Sequence, residues 1–94
     1  MEERKENRRN NKNSKKFDKR KRLVNTLKTY LFEYDKIFRI DGRNGEKIEV
    51  YRAFWDDNLI VISVYDKTGV NLKRANYFDS VYGVVEALVN HEME

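Results

Sequence analysis

The side chains with the clearest capacity for chemistry in this sequence are cations near its N-terminal end. The basic segment, residues 1–22, holds 11 Lys or Arg and 4 Asp or Glu, whereas residues 23–94 hold 9 and 12. The formal net charge of +4 therefore combines a strongly basic segment with a slightly acidic remainder. Guanidinium and ammonium groups at this density bind phosphates, so the segment predicts a polyanionic partner. The predicted phosphate contacts are Arg4, Arg8, Arg9, Lys12, Lys15, Lys16, Lys19, Arg20, Lys21 and Arg22.

Catalytic and metal-ligating residue types are sparse by comparison. The chain has no cysteine and one histidine, His91, which excludes thiolate zinc sites and multi-histidine relays. Asp56 and Asp57 adjoin and would need Asp66 or Asp79 to gather Mg²⁺, yet turns select aspartate for backbone reasons alone. We therefore predict no catalytic residues, no metal and no cofactor.

Residues 1–17 are predicted to form a disordered basic arm. Met1 and Phe17 are their only large apolar side chains, too few to offset the entropy of ordering. Segments of this kind often order on RNA, which favours RNA over DNA as the partner. The alternative is a solubilising tail, or a nuclear import signal in a eukaryote, attached to a purely protein-binding module.

The remaining residues, 18–94, are predicted to form a single small α+β domain. Apolar residues at helical spacing, including Leu23, Leu27 and Leu31, predict a helix over 18–33 with Asp18 as its cap. A second helix is predicted after Asp79 and Ser80, where valines and leucines recur at the same spacing. Between the helices, turn residues separate β-rich runs at 36–41, 47–55, 59–66 and 70–78, which predict a four-stranded antiparallel meander. The predicted order is α-β-β-β-β-α.

The predicted strands carry apolar residues on both faces, which indicates that both faces of the sheet are covered. Either both helices pack on one face and a partner covers the other, or the helices straddle the sheet. Because tyrosine and tryptophan anchor interfaces, the predicted protein-binding residues are Tyr51, Trp55, Tyr65 and Tyr77. The partner is expected to be a protein, a ribonucleoprotein or a second copy of the chain.

No apolar run approaches the ~20 residues of a membrane span, and no apolar stretch of the secretory type follows the basic N-terminus. We therefore expect no membrane association and a cytoplasmic protein, or a nuclear one in a eukaryote.

The predicted architecture resembles that of the RelE-type messenger-cleaving toxins. That resemblance implies acid-base work by side chains on the sheet, for which Arg52, Lys73, Arg74 and Tyr77 are the analogous residues. Such a toxin carries its positive charge on the folded sheet, whereas residues 23–94 here are net acidic.

The division of charge resembles a second group more closely, the small phage- and plasmid-borne inhibitors of CRISPR nucleases. Some of these place a disordered basic arm before an aromatic-rich α+β body, as this chain does from Met1 to Arg22 and from Leu23 onward. The resemblance implies a non-enzymatic protein whose arm contacts nucleic acid and whose acidic body contacts the nuclease, each raising the effective concentration of the other.

Overall fold

The computed structural model describes residues 19–92 of the 94-residue chain. Helix α1 is described from residue 19 and comprises an α-helical part, 19–28, and a π-helical turn, Thr29–Glu33. The strands are β1 (Phe38–Asp41), β2 (Lys47–Arg52), β3 (Ile60–Tyr65) and β4 (Leu72–Phe78), and helix α2 (Val81–Ala87) continues into a π-helical turn, Leu88–Glu92. This order confirms the predicted α+β fold. The predicted arm, 1–17, and the Asp18 cap lie outside the described residues.

The four strands form one antiparallel sheet in the order β1-β2-β3-β4, as predicted for a meander. Gly45 and Gly69 lie in the first and third hairpin turns with φ of +78° and +77°, a conformation that residues with a Cβ seldom adopt. Asp66 begins the third turn, where its carboxylate accepts hydrogen bonds from Thr68 Oγ1 at 2.5 Å and Asn71 Nδ2 at 2.7 Å. These bonds hold the pKa of Asp66 well below its usual range.

Both helices pack on the same face of the sheet. Leu27 and Leu31 of α1, Val84 of α2 and Leu88 of the turn that follows α2 share one buried cluster with residues of β2 and β3. The strand residues in this cluster are Ile48, Val50, Ile60, Ile62 and Val64, which the register places on one face. The helices therefore do not straddle the sheet. Within residues 19–92, no helix covers the opposite face.

The helix ends that flank the sheet are defined by local hydrogen bonds. Ser80 caps α2, because its Oγ accepts the Gly83 N–H at 3.1 Å, as its position before an apolar stripe predicts. Helix α1 ends at Glu33 with Tyr34 as its C-cap; Asp35 follows in the left-handed region with a φ of +51°, and the Lys36 N–H donates to the Tyr30 carbonyl at 2.7 Å. Within the part of the chain described, neither helix is long and apolar enough to cross a membrane.

Candidate nucleic-acid interface

Four consecutive cations, Lys19–Arg22, lie at the first described turn of α1. Lys21 and Arg22 are exposed and form no ion pair with any residue between 19 and 92. Arg20 is half-buried, and its guanidinium lies 3.0 Å from Glu86 of α2 and 3.4 Å from Asn90 Oδ1. Helical geometry thus gives neighbouring cations different surroundings, with Arg20 joining α1 to α2 and Lys21 available to a ligand.

A groove of about 380 Å³ runs between α1 and α2 beside these cations. It is lined by Arg20, Lys21, Val24, Asn25, Lys28, Tyr82, Val85 and Glu86, which we call the α1–α2 groove. The lining contains three cations and one carboxylate, and that carboxylate is paired with Arg20. The remaining positive charge lies on Lys21 and Lys28, both of which belong to α1.

Lys28 and Tyr82 meet across the groove. The Lys28 ammonium lies 5.3 Å from the centre of the Tyr82 ring and 3.4 Å from its hydroxyl oxygen. Tyr82 is nevertheless 62% exposed, so most of its aromatic surface faces solvent. Sequence analysis did not identify either residue, although the seven-residue spacing of Lys21 and Lys28 places them on one helical face.

The other predicted phosphate contacts, Arg4, Arg8, Arg9, Lys12, Lys15 and Lys16, lie outside the described residues. They precede Lys19 in the sequence, and Phe17 and Asp18 separate the last of them from it.

A second exposed surface lies on the face of the sheet that the helices leave uncovered. Tyr51, Val61 and Tyr77 are register partners across β2, β3 and β4, so they form a row on this face. Beside the row, the Trp55 ring is 6.1 Å from Tyr77 and 5.0 Å from Phe54, with edge-to-face geometry in both pairs. We call Phe54, Trp55 and Tyr77 the aromatic patch. Their exposed fractions are 93%, 56% and 56%, which is unusual for adjoining large aromatic residues.

The other two predicted protein-binding residues are less accessible. Tyr51 is half-buried, and its hydroxyl is 2.9 Å from the buried Ser63 Oγ of β3. The Ser63 hydroxyl therefore has a hydrogen-bond partner despite its burial. Tyr65 is also half-buried and lies at the opposite end of β3, beside Lys47 in the register. The structure therefore brings Trp55 and Tyr77 together and separates Tyr65 from them.

Charges on this uncovered face are paired across strands. Arg39 lies 2.8 Å from Glu49, and Lys47 lies 2.9 Å from Asp41. The face consequently combines aromatic surface with compensated charge. It lacks the excess of cations that a phosphate backbone requires, in contrast to the α1–α2 groove.

The residues named for the toxin-like alternative do not form one site. Arg52 and Arg74 are register partners of Ile60 and Val64, on the helix-covered face, whereas Tyr77 is on the other face. Arg52 is also engaged, since its guanidinium pairs with Asp35 at 3.2 Å and lies over the Phe32 ring.

Arg74 and Lys73 take part in an ion-pair cluster that joins the first hairpin to the C-terminal turn. Lys73 Nζ donates to the buried carboxylate of Glu46 at 2.6 Å, and Arg74 lies 3.6 Å from the same carboxylate. Arg74 also donates to the buried Glu92 carboxylate. Lys73 lowers the pKa of Glu46, and the bond to Glu92 raises the pKa of Arg74. These contacts indicate a structural role for both cations.

Two of the four aspartates considered as metal ligands, Asp56 and Asp66, form hydrogen bonds within turns. Asp56 accepts the Asn58 N–H at 2.9 Å, and Asp66 accepts the bonds described above. Between residues 19 and 92, no group of three or more His, Cys, Asp or Glu side chains is placed to hold a metal ion. His91 is exposed in the π-helical turn that follows α2.

Comparison with known proteins finds no matching family model, no similar curated protein and no similar solved structure.

Proposed function

We propose that this chain is a non-enzymatic RNA-binding protein that uses its basic segment together with the α1–α2 groove. The observation that carries the proposal is the continuity of positive charge from residues 1–18, through Lys19–Arg22, to Lys28 in the groove. Lysine and arginine side chains neutralise phosphates and release counterions, which makes such a surface attractive to nucleic acid.

The placement of acidic residues supports the same function. Residues 23–94 are net negative, yet Glu86 is the one carboxylate lining the α1–α2 groove and it is neutralised by Arg20. The groove and the adjoining turn thus carry an excess of positive formal charge in an otherwise acidic domain. RNA is preferred over DNA in this proposal, because basic segments commonly order on RNA.

The aromatic patch supports a protein partner in addition to RNA. Exposed tryptophan and tyrosine are typical anchors of interfaces, and Trp55 and Tyr77 adjoin on a face that no described helix covers. We propose that the complete target is a cytoplasmic ribonucleoprotein, with RNA in the groove and protein on the aromatic patch.

The resemblance to small inhibitors of CRISPR nucleases gives this proposal a specific form. In that form the RNA is the guide, and the protein is the nuclease that holds it. Purified chain added in excess to guide-loaded nuclease should slow target cleavage, and the double variant Trp55→Ser/Tyr77→Ser should slow it less. Unchanged cleavage by each nuclease tested would contradict this form of the proposal while leaving RNA binding intact.

RNA binding is tested by measuring affinity for a labelled single-stranded RNA at several salt concentrations. We expect log K to fall linearly with log salt, by about 0.7 for each neutralised phosphate of a single strand. The double variant Lys21→Gln/Arg22→Gln should bind more weakly, with a slope smaller by about 1.4.

A matched control variant has the same net charge as Lys21→Gln/Arg22→Gln but carries its two substitutions outside the groove. Lys36 and Lys67 are exposed and lie outside the groove, so Lys36→Gln/Lys67→Gln removes the same charge from another surface. Equal losses in the two double variants would show that only net charge matters. An affinity that is independent of salt would contradict the proposed function itself.

A further inference from the structure

We infer that the α1–α2 groove binds an unpaired nucleotide, whose base stacks on Tyr82 and whose flanking phosphates lie at Lys21 and Lys28. This inference rests on the proposed RNA binding and deepens it, because it specifies single-stranded RNA. It identifies Tyr82 and Lys28, neither of which a charge pattern alone reveals.

The first argument is the exposure of the Tyr82 ring. An aromatic residue on a small domain normally contributes to the core, yet Tyr82 is 62% exposed while Val81, Val84 and Val85 around it are buried. The ammonium of Lys28 lies 5.3 Å from the centre of the Tyr82 ring. A ring held beside a cation and open to solvent matches the combination that proteins use to bind single strands, which is stacking plus backbone neutralisation.

The second argument is the size and lining of the groove. At about 380 Å³ it falls in the range of small-ligand sites and admits a flat heterocycle, whereas a duplex would require a much longer surface. Val24 and Val85 add apolar side chains to the lining of the groove. Asn25 lines the same groove with an exposed amide, which offers one donor and one acceptor to the edge of a base.

The third argument is charge complementarity along the groove. Lys21 and Lys28 are two helical turns apart on α1, which separates their Cα atoms by about 10 Å at a rise of 1.5 Å per residue. They line the same groove, so an extended strand whose base stacks on Tyr82 meets Lys28 beside the ring and reaches Lys21 further along α1. Glu86 does not oppose this strand as a free charge, because Arg20 holds it.

The inference is tested with two variants of Tyr82 and two probes. The probes are a labelled single-stranded oligouridylate and a labelled RNA duplex of the same length. Tyr82→Leu should weaken binding of the single strand about tenfold, which is within the range for one base stacked on an aromatic ring. Tyr82→Phe keeps the ring and should stay within about twofold of wild type. Neither variant should change the salt slope or the affinity for the duplex.

Tyr34→Leu is the matched control. Tyr34 is also exposed, and Lys36 lies 5.6 Å from the centre of its ring, so this pair repeats the lysine–tyrosine arrangement away from the groove. The control should bind the single strand as wild type does. Thermal unfolding of every variant verifies the fold. As an independent test of stacking, the ring-proton NMR signals of Tyr82 in the wild-type chain should move upfield as oligouridylate is added.

The outcomes separate the inference from the function on which it rests. If the wild-type chain binds the single strand but Tyr82→Leu binds equally well, the inference is wrong and RNA binding stands. If Tyr82→Leu weakens the duplex as much as the single strand, base stacking is also refuted. If the wild-type chain binds neither probe, the proposed function fails.

Discussion

Neighbouring cations in the α1–α2 groove differ in whether a carboxylate neutralises them. Arg20 is consecutive with Lys21 in the sequence, yet it is held by Glu86 at 3.0 Å and contributes to the contact between the two helices. Lys21 lacks such a partner among residues 19–92 and lines the groove. The carboxylate of Glu86 therefore neutralises one of the three cations that line the groove.

Replacing that carboxylate should strengthen RNA binding. In Glu86→Gln the groove keeps its three cations and loses its single anion, so we expect the affinity for single-stranded RNA to rise at least about threefold. The salt slope should steepen by about 0.7, the contribution of one additional phosphate contact by Arg20. Titration of labelled RNA at several salt concentrations measures both effects.

Glu33→Gln provides the charge-matched comparison for this gain. Glu33 is an exposed carboxylate on α1 that does not line the groove, so its replacement raises the net charge equally. A gain of the same size in Glu33→Gln would show that long-range charge is responsible. Weaker binding by Glu86→Gln would show that its ion pair with Arg20 is required to shape the groove.

The buried carboxylate of Glu46 should make stability depend on pH. The hydrogen bond from Lys73 holds its pKa in the folded chain below the ordinary value of 4.5. The stabilisation is therefore complete above about pH 4.5 and is lost as the pH falls through the folded-state pKa. Glu46→Gln should be less stable than wild type at neutral pH, and the difference between the two should shrink in acid.

Urea unfolding at a series of pH values tests this expectation directly. The free energy of unfolding of Glu46→Gln should approach that of wild type below pH 4.5, while Glu33→Gln should follow wild type throughout. A difference between Glu46→Gln and wild type that is constant across the whole series would contradict the role assigned to the ion pairs with Lys73 and Arg74.

At the scale of elements, helix α2 carries both a core stripe and the exposed tyrosine of the groove. Ser80 Oγ accepts the Gly83 N–H and so defines where the helix begins, two residues before Tyr82. Ser80→Ala should lower the free energy of unfolding by about 1 kcal/mol, the usual cost of losing an N-cap. Ser80→Asp restores an acceptor and should recover most of that loss. Thermal or urea unfolding measures both variants, and equal stability of Ser80→Ala and wild type would contradict the capping role.

The elements were predictable where a local pattern dictates them. The spacing of Leu27 and Leu31 and of Val84 and Leu88 follows the helical period, and these residues are the ones that pack on the sheet. Strand ends were less predictable. The alternation that begins at β2 continues through Trp55, but the strand ends at Arg52 because the chain then turns toward β3.

The groove was only half predictable, because its two sides come from distant parts of the chain. A run of consecutive cations can be recognised in the sequence itself, so Lys21 was predicted as a phosphate contact. Lys28 and Tyr82 are 54 residues apart, and their contact depends on both helices choosing the same face of the sheet. Because the strands carry apolar residues on both faces, the sequence did not indicate which face each helix covers. In the structure α1 and α2 lie side by side on the same face.

At the scale of the molecule, the sheet separates two chemically different surfaces. The α1–α2 groove lies in the helical layer, whereas Trp55 and Tyr77 lie at the face that this layer leaves uncovered. Ligands of the two surfaces therefore do not compete for space. If the proposed RNA and protein partners bind these two surfaces, each contact raises the effective concentration of the other.

This separation can be tested with the chain's single tryptophan. Trp55 is exposed in the aromatic patch, so its emission maximum and its quenching by acrylamide report on that surface alone. Saturating the α1–α2 groove with single-stranded RNA should leave both quantities unchanged, because the sheet lies between the two surfaces. The same titration must show binding by anisotropy of the labelled RNA. A blue shift of the emission together with protection from acrylamide would place RNA on the aromatic patch and contradict the assignment of that surface to protein.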